Sequence, residues 1–89
     1  MARPISSNLK REFKTYRQSL GAVVTRLRTD RKWSQQKLAD KAGYSMSYIS
    51  GVELGKRNPS LEMIQAVAQV FGLRPSQLLA RAERRQSKR

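Results

Sequence analysis

Apolar and polar residues follow each other along this chain with a helical period. From Asn8 onward, Phe13, Tyr16, Leu20, Val23, Val24 and Leu27 recur at steps of three and four. That spacing lines them along one helix face, while Lys10, Arg11, Lys14 and Arg17 fall mostly elsewhere. The pattern fits one long helix from about 9 to 31, or a short basic helix before a second starting near Ser19. Gly21 leaves both open, because glycine weakens a helix interior by about 1 kcal/mol relative to alanine.

Four shorter elements follow. Ser34 is a good N-cap for a helix over 35–41, whose inner face is Leu38, Ala39 and Ala42. Gly43 ends it, since stopping a helix there needs a positive φ. Ser45 caps a helix over 46–53 with Ile49 and Val52 turned inward. Residues 54–59 form a loop punctuated by Gly55 and Pro59. Ser60 caps a helix over 61–71 with an apolar stripe of Leu61, Ile64, Val67, Ala68 and Phe71, and Gly72 ends it. Pro75 fits the first position of a last helix over 75–84, with Leu78, Leu79 and Ala82 as its apolar members. Residues 84–89 read as a frayed basic tail. Trp33 reads as a lid on the core beside the first helix. No strand pattern and no internal repeat appear, so the fold class is all-α.

Composition narrows the chemistry. Eighty-nine residues make one domain, burying roughly 60–65% of its unfolded surface. Cysteine and histidine are both absent. That removes disulfides, thiolate metal sites, the commonest general base and the commonest zinc ligand, so neither an enzyme nor a metal cofactor is expected. No apolar run is long enough to span a membrane and no secretory signal opens the chain, so a cytoplasmic, nucleoid-associated protein is expected.

Charge points to a partner. Lys plus Arg number 19 against 6 acids, a formal net charge of +13. The surplus is spread over a basic extension at 1–17, a milder centre at 18–80 and a basic tail at 81–89. A polyanion such as double-stranded DNA is the expected partner, held in a strongly salt-dependent way.

The segment 34–53, SQQKLADKAGYSMSYISGVE, turns that general charge into a specific reading. Two short helices flank Gly43, with Ala39 where they must approach closely. The second carries small and hydroxylated side chains outward, as suits a helix that enters the major groove, where base identity is displayed. In order and spacing, Leu20-Gly21, Arg28, SQQKLA at 34–39, Gly43, SYIS at 47–50, Glu53, GKRNPS at 55–60 and FGL at 71–73 resemble the lambdoid phage repressor and Cro-like helix-turn-helix family. The resemblance covers residues 18–80.

It implies a five-helix, repressor-like DNA-binding domain. By position, Tyr44, Met46, Ser47 and Ser50 become the candidates for reading bases. Gln35, Ser45, Tyr48, Lys56, Arg57 and Asn58 become candidates for the sugar-phosphate backbone, with Gln35 also bracing the reading helix. Arg28 and Glu53 match a structural ion pair. Relatives of this kind dimerise, usually through the last helix, so Leu78, Leu79 and Ala82 are interface candidates, followed by Phe13 and Tyr16.

Two departures stand out. Gly51 replaces a long polar residue, so an arginine there is expected to tighten binding to sites containing guanine. Met46 can touch a thymine methyl but cannot form a bidentate base contact. Specificity is therefore expected to lean on DNA shape and on the basic arms. The function implied is a sequence-specific transcriptional regulator, a repressor acting as a homodimer on a near-palindromic operator. Phage-type repressor, restriction-modification controller and antitoxin-like autoregulator all fit. The alternative is a basic helical module that binds nucleic acid without sequence preference.

Overall fold

The computed structural model describes residues 6–87. Residues 1–5 of the basic extension, and Lys88 and Arg89 of the basic tail, lie outside the described residues. Five helices follow one another: α1 (Ser7–Asp30), α2 (Gln35–Ala42), α3 (Met46–Glu53), α4 (Leu61–Val70) and α5 (Pro75–Ser87). Four begin at a serine whose hydroxyl accepts a backbone N–H of the first turn: Ser6 from Leu9, Ser34 from Lys37, Ser45 from Tyr48 and Ser60 from Met63. Each such cap contributes about 1 kcal/mol relative to alanine.

The first segment is one continuous helix, not two. Gly21 lies inside it without breaking it, and the reason is close packing. A Cβ there would fall 2.4 Å from the carbonyl oxygens of both Val52 and Glu53. Glycine thus lets α1 lie against the C-terminal end of α3, and packing outweighs its weak propensity. α1 also packs against α5, where the Tyr16 hydroxyl donates to Glu83 Oε2 at 2.8 Å.

The helices share one core. Leu20, Val24 and Leu27 of α1 meet Leu38 and Ala39 of α2, Ile49 and Val52 of α3, Met63, Val67 and Ala68 of α4, Phe71, and Leu78 and Ala82 of α5. Trp33 covers one edge as expected, stacked on Phe71 at a 5.8 Å ring separation. The Arg31 guanidinium lies over both rings and the Lys41 ammonium over Trp33.

Two expectations require correction here. Leu61 does not join the α4 stripe and is 75% exposed, while Met63 is buried in its place. The stripe centres on Met63, Val67 and Phe71, and Leu61 sits about 120° around the helix from Val67 at about 100° per residue. The segment RRQ at 84–86 is helical, not frayed, because α5 runs on through Ser87. The buried Ala82 and the Glu83–Tyr16 hydrogen bond hold this stretch against α1.

Candidate nucleic-acid interface

The turn between α2 and α3 is built by backbone geometry. Gly43 adopts φ 79° and its N–H bonds to the Ala39 carbonyl at 2.9 Å, joined by the Tyr44 N–H at 3.0 Å. A Cβ at Gly43 would meet nothing within 4 Å, so the positive φ alone selects glycine. Ala39 is fully buried where the two helices meet. Ser45 then caps α3, so its hydroxyl is already engaged with the Tyr48 N–H.

The orientation of α3 is locked at its far end. Arg28 Nε and Nη2 donate to the two Glu53 carboxylate oxygens at 2.7 and 3.0 Å. Arg28 Nη1 donates to the Trp33 carbonyl at 2.7 Å, and Gln35 Nε2 donates to Glu53 Oε1 at 2.9 Å. The two charged side chains are 13% and 4% exposed. Hydrogen bonding to Glu53 raises the Arg28 pKa above its ordinary value against the opposing effect of burial. This network joins α1, the start of α2 and the end of α3. It fixes the pitch of α3 relative to the bundle, the use of a buried charge pair that specificity best explains.

The start of α3 faces outward. Met46 is 47% exposed, Ser45 and Ser47 are exposed, and Ser50 is half-buried. Tyr44 is half-buried, packed on the core and edge-on to Tyr48 at 5.3 Å. Of the four base-reading candidates, Met46 and Ser47 therefore present the most surface.

The loop after α3 is tied to the helix through Tyr48 and Gly51. The Tyr48 hydroxyl accepts from the Ser60 N–H at 3.1 Å and donates to the Asn58 carbonyl at 3.4 Å. The N–H groups of Lys56 and Arg57 both donate to the Gly51 carbonyl, at 2.9 and 3.1 Å. Lys56, Arg57 and Asn58 are exposed, on a loop tied to α3 at Tyr48 and Gly51. On the other side, Gly55 has φ 72° and packs against the Gln18 backbone, and Arg17 Nε donates to its carbonyl at 3.4 Å. The loop is thereby clamped between α1 and α3.

Gly51 is not an unused reading position. A Cβ there would lie 2.4 Å from Arg57 Cγ and 3.4 Å from its Cβ. The Arg57 side chain crosses the helix at this glycine, and its guanidinium ends 5.2 Å from the centre of the Tyr48 ring. Any side chain introduced at 51 requires the Arg57 side chain to shift from this position. Sequence reasoning missed this because the contact joins a helix to a loop six residues on. No periodicity marks it.

Two of the dimer candidates also need correction. Leu78 and Ala82 are 1% and 0% exposed within the single chain, and Leu79 is half-buried against the same core. The short apolar stripe of α5 is consumed by α1 and α4. Among the described residues, the exposed large apolar side chains are Leu9, Phe13, Met46, Leu54 and Leu61, of which Leu9 and Phe13 lie on the first turns of α1. No described helix is long and apolar enough to cross a membrane.

Comparison with known proteins agrees with this geometry. A helix-turn-helix family model matches residues 24–78. The immunity repressor protein of Bacillus phage phi105 is 36% identical over 61 residues, covering 68% of this chain and 42% of the repressor. The HTH-type transcriptional regulator AnsR of Bacillus subtilis is 38% identical over 64 residues, covering 72% of this chain and 55% of AnsR. The chain thus spans about half the length of these curated relatives. The crystal structure of the restriction-modification controller protein C.AhdI from Aeromonas hydrophila superposes with a TM-score of 0.67 at 37% identity, over 70% of this chain and 94% of the controller. Motif, packing and relatives converge: the chain belongs to the helix-turn-helix family of transcriptional regulators, of the Cro and phage-repressor type.

Proposed function

We propose that this protein binds duplex DNA through α3 and the loop after it, and regulates transcription as a repressor. The carrying observation is the exposure of Met46 and Ser47 on a helix whose far end is locked by Arg28, Glu53 and Gln35. Rigid support with an outward tip of one apolar and one hydroxylated side chain suits insertion into the major groove. Lys56, Arg57 and the Asn58 side chain, on the loop after α3, supply backbone contacts, which orient the helix without reading sequence. Tyr48 acts by holding this loop, with its hydroxyl engaged by Ser60 and Asn58. Gln35 braces Glu53 and lies at the start of α2, close to where a phosphate would pass.

Direct base contact remains thin, so the preference for a site rests mainly on DNA shape. One domain with this few base contacts needs a second copy, with two reading helices ~34 Å apart on a near-palindromic site. With the α5 stripe buried, Leu9 and Phe13 are the residues we assign to that contact.

Selection from a random duplex library tests the reading. The wild-type protein is expected to enrich a near-palindromic motif. The double variant Met46→Ala, Ser47→Ala is expected to keep most of that preference. Absence of any enriched motif would reduce the protein to a non-specific cationic module. A motif rewritten by the double variant would replace shape readout with direct readout.

A further inference from the structure

A second basic feature lies away from α3. Between α1 and α5 is an open groove of about 490 Å³. That volume is within the range of small-molecule sites. Its floor is apolar, formed by Ala22, Val23 and Leu27 of α1. Its rim carries Arg26 from α1 and Arg81, Arg84 and Arg85 from α5, with Asp30 as the single acid. Arg81, Arg84 and Arg85 share one face of α5, because residues three and four apart are neighbours on a helix.

The groove faces away from the reading helix. Gly21 marks the side of α1 that touches α3. At about 100° per residue, Ala22, Val23, Arg26 and Leu27 lie about 100–240° around the helix from Gly21. A duplex seated on α3 therefore leaves this groove uncovered.

The charges there are incompletely balanced. Arg26 pairs with Asp30 at 3.1 Å on an exposed surface. Arg84 is already engaged. Arg81 and Arg85 are exposed and form no ion pair with any described residue. Guanidinium forks match phosphate oxygens two at a time, and the adjoining apolar floor suits a body that prefers not to face water.

From this arrangement we infer that the α1–α5 groove binds a small phosphorylated molecule with an apolar or aromatic body. The phosphates sit between Arg81 and Arg85, and the body lies on Val23 and Leu27. The inference does not depend on how α3 reads DNA.

Isothermal titration of the full chain at about physiological salt tests it, because screening there suppresses diffuse charge effects. The probes are ADP, decyl phosphate below its micelle concentration, and inorganic pyrophosphate. Saturable binding of ADP identifies a nucleotide-like source, and binding of decyl phosphate a lipid-like one. Either is expected to bind at least tenfold more tightly than pyrophosphate. Arg81→Ala with Arg85→Ala should weaken it at least tenfold, and the charge-preserving pair Arg81→Lys with Arg85→Lys should weaken it severalfold. Lys10→Ala with Arg11→Ala removes equal charge elsewhere and should leave it unchanged. Equal loss in that control, or pyrophosphate binding as tightly as both larger probes, would overturn the site in favour of general charge. DNA affinity falling tenfold in the Arg81, Arg85 lysine pair would overturn it in favour of a DNA contact.

Discussion

Individual side chains divide here between those that read and those that hold. Arg57 illustrates the second kind and carries the first prediction. Alanine is about 1 kcal/mol better than glycine in a helix interior. Gly51→Ala should nevertheless stabilise the protein by much less, because Arg57 occupies the space a Cβ needs. In an Arg57→Ala background the same change should recover its full benefit, and urea unfolding of the four proteins measures that coupling. Equal gains in both backgrounds would show that Arg57 swings aside without cost. Glu53 carries another prediction. It accepts from Arg28 twice and from Gln35 once at only 4% side-chain exposure, so Glu53→Ala leaves three N–H donors unanswered. The expected loss is about 3 kcal/mol in denaturant unfolding, as for a buried pair broken from one side. A loss well below 1 kcal/mol would mean that water replaces the carboxylate there.

At the scale of elements, α1 organises the domain. Its Gly21 face takes α3, and α5 lies along it from Tyr16 to the groove at Ala22–Leu27. Between α1 and α5, burial pushes the Tyr16 phenol from 10.0 up to about 12, reinforced by the hydrogen bond to Glu83 and by that carboxylate's charge. The fold thus prefers the neutral phenol. This contribution is fully present below pH 10, the unfolded value, and is lost as the pH rises through about 12. Thermal unfolding between those values should therefore show a steeper decline for the wild-type protein than for Tyr16→Phe. Parallel declines would mean that the phenol ionises alike in folded and unfolded chains. The tie is mostly solvent-facing, so its effect on stability at neutral pH is small.

For the molecule as a whole, shape and charge pull on assembly in opposite directions. The 24 residues of α1 span about 36 Å at about 1.5 Å each. Leu9 and Phe13 sit toward its N-terminal end, clear of the shared core. Two chains each carrying +13 repel one another, and duplex DNA relieves that repulsion. Sedimentation should show a monomer–dimer equilibrium that shifts toward the dimer on operator DNA. Phe13→Asp should leave the fold intact and yield monomer at high micromolar concentration. A wild-type protein that stays monomeric on DNA would remove the dimer altogether.

Local chemistry was enough to place the helices and the motif. The serine caps at Ser34, Ser45 and Ser60, the terminating Gly43 and a steady three-to-four-residue period depend on residues within a turn or two of each other, whereas the Ser6 cap emerged only from the structure. The helix boundaries drawn from them match at α3, and at α2 to within one residue at its C-terminal end. The outward tip at Met46 and Ser47 was also legible, because the inward positions Ile49 and Val52 set the phase of a short helix. The Arg28–Glu53 pair came from family resemblance, since nothing local links residues twenty-five apart. Tertiary structure alone decided the rest. It made Gly21 a contact point rather than a break, gave the space at Gly51 to Arg57, buried Leu78 and Ala82 within one chain, and brought the α5 arginines beside α1. Each of these depends on which surface meets which across the bundle, a relation that the period of a single helix does not encode.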